Sequence, residues 1–136
     1  TYDRSRDAFR FAAQLVRFIR AFKDRHAGRD IDDPRGFGIA VAGFPEGHPT
    51  AQNRLLEIEH LKAKVDAGAD CIVTQLFFDN RDLYDFRARC ELAGVRVPIV
   101  AGIMPVTSES GLMKMAELAA GARFPAPLLR AIARAQ

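Results

Sequence analysis

Apolar positions recur along the chain with two different spacings, and the changes of spacing predict where helices and strands alternate. Near the N-terminus an apolar residue returns every three or four positions, which predicts a helix over residues 7–26. The same spacing predicts four further helices, over residues 50–67, 81–93, 109–120 and 127–133. Gly68 and Gly94 are expected to end the second and third helices.

Three short runs that are apolar at nearly every position lie between these helices and predict strands over residues 37–43, 71–78 and 97–102. Uniformly apolar strands are typical of a parallel sheet with both faces covered. A polar linker over residues 28–36 separates the first helix from the first strand. The fold class is therefore α/β, built from parallel strand–helix units.

The strand–helix unit repeats about every 30 residues, which suits a (β/α)8 TIM barrel of roughly 250 residues. A doubly wound sheet has the same local pattern, so the spacing alone does not choose between the two. Three strands cannot close a barrel. On the barrel interpretation, residues 1–136 are a single fragment, about half of the whole, and the first residue, Thr1, suggests that the chain begins inside a longer gene product.

Each predicted strand ends in residues that a simple turn does not require. The first runs into "GFPEGHP", the second into "TQLFFD" and the third into "GIMPVTS". Because ligands bind at the carboxyl ends of parallel strands, these segments are expected to form one ligand site.

Several side chains near the strand ends have two interpretations. His48 and Glu46 could contact a ligand or simply fix the loop, and the Gln75 amide could bond to neighbouring backbone or to the edge of a heteroaromatic ring. Glu57, His60 and Lys64 follow helical spacing, and could form a solvated row or face a ribose and a diphosphate.

Other kinds of site are not supported by the sequence. It contains no glycine-rich phosphate loop, no H-E-x-x-H and no G-x-S-x-G, so metal chemistry and covalent acyl transfer are not expected. Cys71 and Cys90 lack zinc-ligand spacing and are interpreted as reduced thiols of a cytoplasmic protein.

Composition and charge are ordinary for a globular protein, with 49% hydrophobic and 27% charged residues and a net charge of +3. The basic residues of the first helical segment, among them Arg10, Arg17 and Arg20, do not form one block and are interpreted as a solvated surface. No nucleic-acid partner is therefore expected. No apolar run approaches the roughly 18 residues that span a bilayer, so no membrane association is expected.

Three segments together resemble the methylenetetrahydrofolate reductases. They are "FGIAVAGFPEGHP", "LKAKVDAGADCIVTQLFFD" and "VPIVAGIMPVTS", and the likeness runs from about Phe9 to Ile132. The resemblance implies a (β/α)8 barrel of which this chain covers about strands five to seven. It also implies bound FAD, which takes a hydride from NADH or NADPH and passes it to 5,10-methylenetetrahydrofolate to give 5-methyltetrahydrofolate.

The resemblance also assigns site residues. The positions that match the cofactor contacts of the family are Ala12, Phe44, His48, Ala51, Glu57, His60, Ala63 and Lys64. The positions that match its substrate contacts are Gln75, Gly111 and Met115. Gly111 has no side chain to offer a substrate, Met115 replaces an aromatic residue, and Phe44 stands where the family often has Tyr.

The family's general-acid Glu and its Arg-Gly-Asp loop fall outside this chain, so the resemblance implies no catalytic residue here. The chain alone is expected to be inactive, and the rest of the barrel to be its partner within a homo-oligomeric full-length protein. Two other hypotheses stay open. One is a stand-alone half-barrel that binds a nucleotide or pairs with another chain, and the other is a different barrel enzyme that uses the same loops.

Overall fold

The structure is a computed structural model that describes residues 7–25, 36–51, 53–119 and 122–134. Five helices and three strands are present in these ranges. They are α1 (Ala12–Arg25), β1 (Ala40–Gly43), α2 (Arg54–Asp66), β2 (Cys71–Thr74), α3 (Asn80–Leu92), β3 (Ile99–Val100), α4 (Glu109–Leu118) and α5 (Ala126–Arg134). Residues 28–35 of the predicted linker, the last residue of the first predicted helix and the end of the fourth at Ala120 lie outside the described residues.

The three strands form one parallel sheet in the order β1-β2-β3. Ala42 pairs with Val73, and Val73 with Val100, so the strands are in register across the sheet. The predicted α/β class and the parallel arrangement of consecutive units are confirmed.

The core lies between the sheet and the helices that cover one of its faces. Ile72 and Phe86 are fully buried, and Cys90 is almost so. Val16 of α1 and Leu61 of α2 complete the same cluster. Burying side chains of this size contributes about 1.5–3 kcal/mol each, which makes this layer the main source of stability.

The second face of the sheet is open among the described residues, and the expected layer over it stays a prediction. Along β1, Val41 and Gly43 are buried, whereas Ala40 and Ala42 are exposed. Val73 and Val100 are also 40% and 50% exposed. Alternate residues of a strand point to opposite faces, so one layer of helices can cover only every second side chain.

All three strands are shorter than predicted, and at the ends of β1 and β2 side chains replace strand partners. The N–H of Ile39 donates to the carboxylate of Asp70 at 2.6 Å, before β1 begins. After β2, the N–H of Leu76 donates to the side-chain oxygen of Gln75 at 2.9 Å. Such side-chain bonds satisfy backbone groups outside the sheet.

Helix α1 begins five residues later than predicted because Gln14 caps it. The side-chain oxygen of Gln14 accepts hydrogen bonds from the N–H groups of Arg10 and Phe11, at 2.8 and 3.1 Å. A bond from the side chain of the third helical residue back to the cap N–H is typical of a helix start. Helix α2 likewise begins late, at the cap Asn53, whose side chain accepts from the N–H of Leu56.

The ends of α2 and α3 follow the prediction. Gly68 and Gly94 adopt positive φ angles of 112° and 75°, in the left-handed region that favours glycine after a helix. Helices α3 and α5 start and end within one residue of the predicted bounds.

Candidate functional site

The carboxyl ends of the three strands meet at one edge of the sheet. The N–H of Gln75 donates to the carbonyl of Gly43 at 2.7 Å, and the N–H of Gly102 donates to Thr74 Oγ1 at 2.9 Å. The loop after β1, the Gln75 segment and the segment after β3 therefore share a common rim, as predicted.

A cavity of about 620 Å³ opens beside this rim, between α1, α2 and the end of β1. The structure brings together in it all eight residues that sequence analysis assigned to a cofactor: Ala12, Phe44, His48, Ala51, Glu57, His60, Ala63 and Lys64. Its volume falls within the roughly 300–1,000 Å³ of small-molecule sites. We call it the main cavity.

His48 is fixed by its own loop. Its Nδ1 accepts a hydrogen bond from the N–H of Thr50 at 3.1 Å, and Thr50 Oγ1 lies 2.8 Å from the same atom. Because Nδ1 accepts, the neutral imidazole carries its proton on Nε2. The edge of the ring packs against Phe44, with centroids 4.6 Å apart. The loop-fixing interpretation is confirmed, and a ligand contact through Nε2 stays a prediction.

Glu57 is buried in the wall of the main cavity, so the interpretation of a solvated row is wrong for this residue. It is 6% exposed, and neither carboxylate oxygen has a hydrogen-bond partner in the described part of the chain. Burial raises the pKa of Glu57, and the nearby His48 N–H, which lies outside hydrogen-bond geometry, and the charge of Arg89 oppose that shift. An unpaired buried carboxylate is costly and would be satisfied by a donor from a ligand.

The burial of Glu57 goes with a change in the predicted apolar face of α2. Ile58 and Leu61 are buried as expected, but Leu55 is 71% exposed. The helix turns the face that carries Glu57 toward the cavity and the core, which leaves Leu55 in solvent.

Lys64 reaches into the main cavity from the far end of α2. Its Nζ donates to the carbonyl of Ala42 at 2.6 Å. Burial lowers the pKa of Lys64, and the negative charge of Glu57 opposes that shift. His60 lies between these two residues along α2, and its ring is 6.0 Å from that of Phe11, the residue before α1.

Two arginines in this wall were not identified from the sequence. Arg10 and Arg17 are solvent-exposed, as interpreted, but both line the main cavity. Their spacing in the sequence could have identified them. Arg10 lies three positions before Ala13 and Arg17 four positions after it, and helical spacing places all three residues on one face.

Gln75 lies in a neighbouring cavity of about 270 Å³ that shares Ala42 and Phe44 with the main one. Its side-chain oxygen accepts from the N–H of Leu76, so the interpretation of a backbone contact is confirmed for that atom. Its amide nitrogen has no partner in the described part of the chain and is free to donate.

The other two predicted substrate contacts lie on α4, outside both cavities. The N–H of Gly111 donates to the helix cap Ser108 at 3.0 Å. Met115 is 8% exposed, which leaves little of its side chain to meet a ligand.

Glu46 is a loop-fixing acceptor. Its side chain is 5% exposed, pairs with the guanidinium of Arg123 and accepts from the backbone N–H of that residue. Arg123 also pairs with Asp82 of α3. Residues 46–48 are thus tied to two later segments, a connection that no local sequence pattern indicated.

Cys90 is buried, and burial raises the pKa of its thiol to about 11, so it is not a reactive thiolate. Both cysteines are free, as predicted. The described ranges contain no group of three His, Cys, Asp or Glu side chains that could hold a metal ion. They also contain no helix with the length and apolar character needed to cross a bilayer.

Comparison with known proteins identifies a family. The family model for methylenetetrahydrofolate reductase matches residues 1–136. "Methylenetetrahydrofolate reductase 2" of Saccharomyces cerevisiae is 36% identical over 80% of this chain and 17% of the relative. "Methylenetetrahydrofolate reductase (NADH) 1" of Arabidopsis thaliana is 42% identical over 71% of this chain and 18% of the relative. "5,10-methylenetetrahydrofolate reductase" of Escherichia coli is 43% identical over 66% of this chain and 30% of the relative. The chain therefore spans less than a third of the length of these relatives.

Proposed function

This chain belongs to the methylenetetrahydrofolate reductase family, and on that premise we propose that it supplies one wall of the active site of an FAD-dependent reductase. The whole enzyme would convert 5,10-methylenetetrahydrofolate to 5-methyltetrahydrofolate with NADH or NADPH. The observation that carries the proposal is the convergence of all eight predicted cofactor contacts on the main cavity.

The chemical groups of the main cavity fit a flavin nucleotide. The Phe44–His48 pair offers an aromatic surface at the rim. The unpartnered carboxylate of Glu57 can accept from ligand hydroxyls, and Lys64 can balance phosphate charge. When bound, the flavin would supply the hydride chemistry, while this chain binds and orients it.

The neighbouring cavity suits the folate or nicotinamide ring. Gln75 lies there next to the aromatic rim and has a free amide nitrogen. If a ring edge displaces the Leu76 N–H, the amide can donate and accept in one plane. We retain Gly111 and Met115 as weaker candidates, since closure of α4 over the rim would be needed to bring them to a substrate.

The open face of the sheet supports the presence of further strands. Ala40, Ala42, Val73 and Val100 expose apolar surface that a closed barrel would bury. We propose that the rest of the barrel covers it, within a homo-oligomeric cytoplasmic protein.

The open face also favours pairing with a second copy as an alternative function. A defined dimer of this chain that stays soluble, without other partners, would support that alternative.

Spectroscopy on the full-length polypeptide that contains this chain tests the proposal. We expect NADH or NADPH to bleach its flavin absorbance under anaerobic conditions, and 5,10-methylenetetrahydrofolate to restore it. The isolated chain should catalyse neither half-reaction. A protein without flavin, or a flavin that the folate does not reoxidise, would contradict the proposed function.

A further inference from the structure

The main cavity is lined by Arg17 of α1, a cation to which the proposed function gives no role. We propose that Arg17 of α1 acts together with Lys64 of α2 to bind the diphosphate of the cofactor. The inference rests on the proposed function, since it assumes that the ligand is a flavin dinucleotide.

The first step is that α1 and α2 run in the same direction, away from the carboxyl ends of the strands. Ala12, at the start of α1, lines the cavity beside Phe44. Eight residues later, Arg20 donates to the carbonyls of Phe37 and Gly68, which precede β1 and β2. Helix α2 also begins after the loop that follows β1 and ends before β2.

The second step is that Arg17 and Lys64 lie at similar depth in the groove between the two helices. The rings of Phe11 and His60 mark one level, at 6.0 Å separation. At about 1.5 Å per helical residue, Arg17 lies about 9 Å beyond Phe11, and Lys64 about 6 Å beyond His60. Side chains of this length easily span the difference, and both line the cavity.

The third step is that the guanidinium of Arg17 has no bonding partner among the described residues. Among the described residues Arg17 makes no hydrogen bond or ion pair, whereas Arg20, one turn further along, is fully engaged with Asp70 and Gly68. Within the described ranges the Lys64 ammonium is bonded only to the neutral carbonyl of Ala42. Two cations that lack a carboxylate partner and face one cavity favour a phosphate-bearing ligand.

The order of groups along the groove strengthens the assignment. The aromatic pair of Phe44 and His48 follows the carboxyl end of β1, and along α2 Glu57 lies in the first turn and Lys64 in the last. A flavin dinucleotide presents its ring, its polyol and its phosphates in the same order. The guanidinium can bind two phosphate oxygens at once, which an ammonium cannot do with the same geometry.

Binding of three flavins by the full-length polypeptide tests the inference. Riboflavin has no phosphate, FMN has one and FAD has two, so their affinities isolate the phosphate contribution. We expect Arg17→Gln to weaken FAD binding about 10- to 100-fold, as for loss of a charge-assisted hydrogen bond, and to leave riboflavin binding unchanged. Arg17→Lys should recover part of the loss. Arg87→Gln, an exposed arginine of α3 outside the cavity, is the matched control.

The salt dependence of FAD affinity gives a second readout that does not require turnover. It should be weaker in Arg17→Gln than in the wild type, because one charge contact is gone. Unchanged FAD affinity, or an equal loss for riboflavin and FAD, would overturn the role of Arg17 but not the proposed function. A wild-type protein that binds no flavin would overturn both.

Discussion

The Lys64 ammonium donates a 2.6 Å hydrogen bond to the Ala42 carbonyl, which joins α2 to β1 inside the main cavity. This bond holds the cation at the wall of the cavity. Burial lowers the pKa of Lys64, so its charge is only partly compensated. An anionic ligand would supply the missing compensation without the cost of reorienting the side chain.

Replacement of Lys64 should therefore affect cofactor binding more than folding. We expect Lys64→Met in the full-length polypeptide to weaken FAD binding by about 10-fold or more, from the loss of a charged hydrogen bond. Fluorescence titration measures the affinity. Lys62→Met is the matched control, because Lys62 pairs with Asp66 on the surface of the same helix. Equal FAD affinities of the two variants would contradict the role of Lys64.

The buried carboxylate of Glu57 should make stability depend on pH. Its raised pKa means that the folded state binds the proton more tightly than the unfolded chain. Its contribution to stability is then lost as the pH rises from the ordinary glutamate pKa through the raised value. Glu57→Gln removes this loss and should stabilise the protein at mildly alkaline pH.

Thermal denaturation at acidic and mildly alkaline pH measures this effect. The advantage of Glu57→Gln should shrink below the ordinary carboxyl pKa, where both proteins are uncharged at this position. Glu59→Gln, at an exposed position of the same helix, should show no such trend. An advantage of Glu57→Gln that is independent of pH would show that its charge is not the cause.

Arg20 ties α1, and with it one wall of the main cavity, to the amino end of the sheet. Its guanidinium donates to the carbonyl of Gly68 at 2.6 and 2.9 Å and pairs with Asp70 at 2.6 Å. We expect Arg20→Met to cost about 1–3 kcal/mol of stability, because it leaves these acceptors without their donor. It should also weaken FAD binding, since α1 is less firmly held.

Urea denaturation and FAD titration together test the role of Arg20. The Lys62→Met variant again serves as control, with an expected cost of about 0.5 kcal/mol or less for an exposed helical pair. An Arg20→Met protein as stable as this control would contradict the account of α1.

Gly102 is required by its close approach to β2. A Cβ at this position would lie 2.2 Å from the backbone oxygen of Thr74. Gly102→Ala should therefore force β3 away from β2 and cost about 1–3 kcal/mol or more. Gly38→Ala, where no atom lies within 4 Å of the added Cβ, should change stability by less than about 0.5 kcal/mol. Equal melting temperatures of the two variants would contradict the β2–β3 geometry.

Sequence patterns predicted the order and direction of the elements because each strand–helix unit carries its own signals. The apolar runs located the strands, and Gly68 and Gly94 marked the ends of two helices. His48 and the row of Glu57, His60 and Lys64 were also predictable as site candidates, since strand ends and the following helix are adjacent in any parallel unit. The other four predicted cofactor contacts came from the family resemblance. The resemblance to a family supplied their chemical roles.

The remaining features depend on contacts between residues distant in the chain. The pairing of Glu46 with Arg123 spans 77 positions, and the clamp of Arg20 on Asp70 spans 50. Periodicity along α2 could not decide whether Leu55 or Glu57 faces inward, because the rotation of the helix is set by packing. The lack of a partner for Arg17 likewise depends on how α1 packs against α2, which the sequence alone does not show.

An experimental structure of the full-length polypeptide crystallised with FAD tests the central claim most directly. The account predicts the cofactor in the groove between α1 and α2, with its ring beside Phe44 and His48 and its phosphates beside Lys64. FAD bound elsewhere, with this groove filled by protein side chains, would contradict the account.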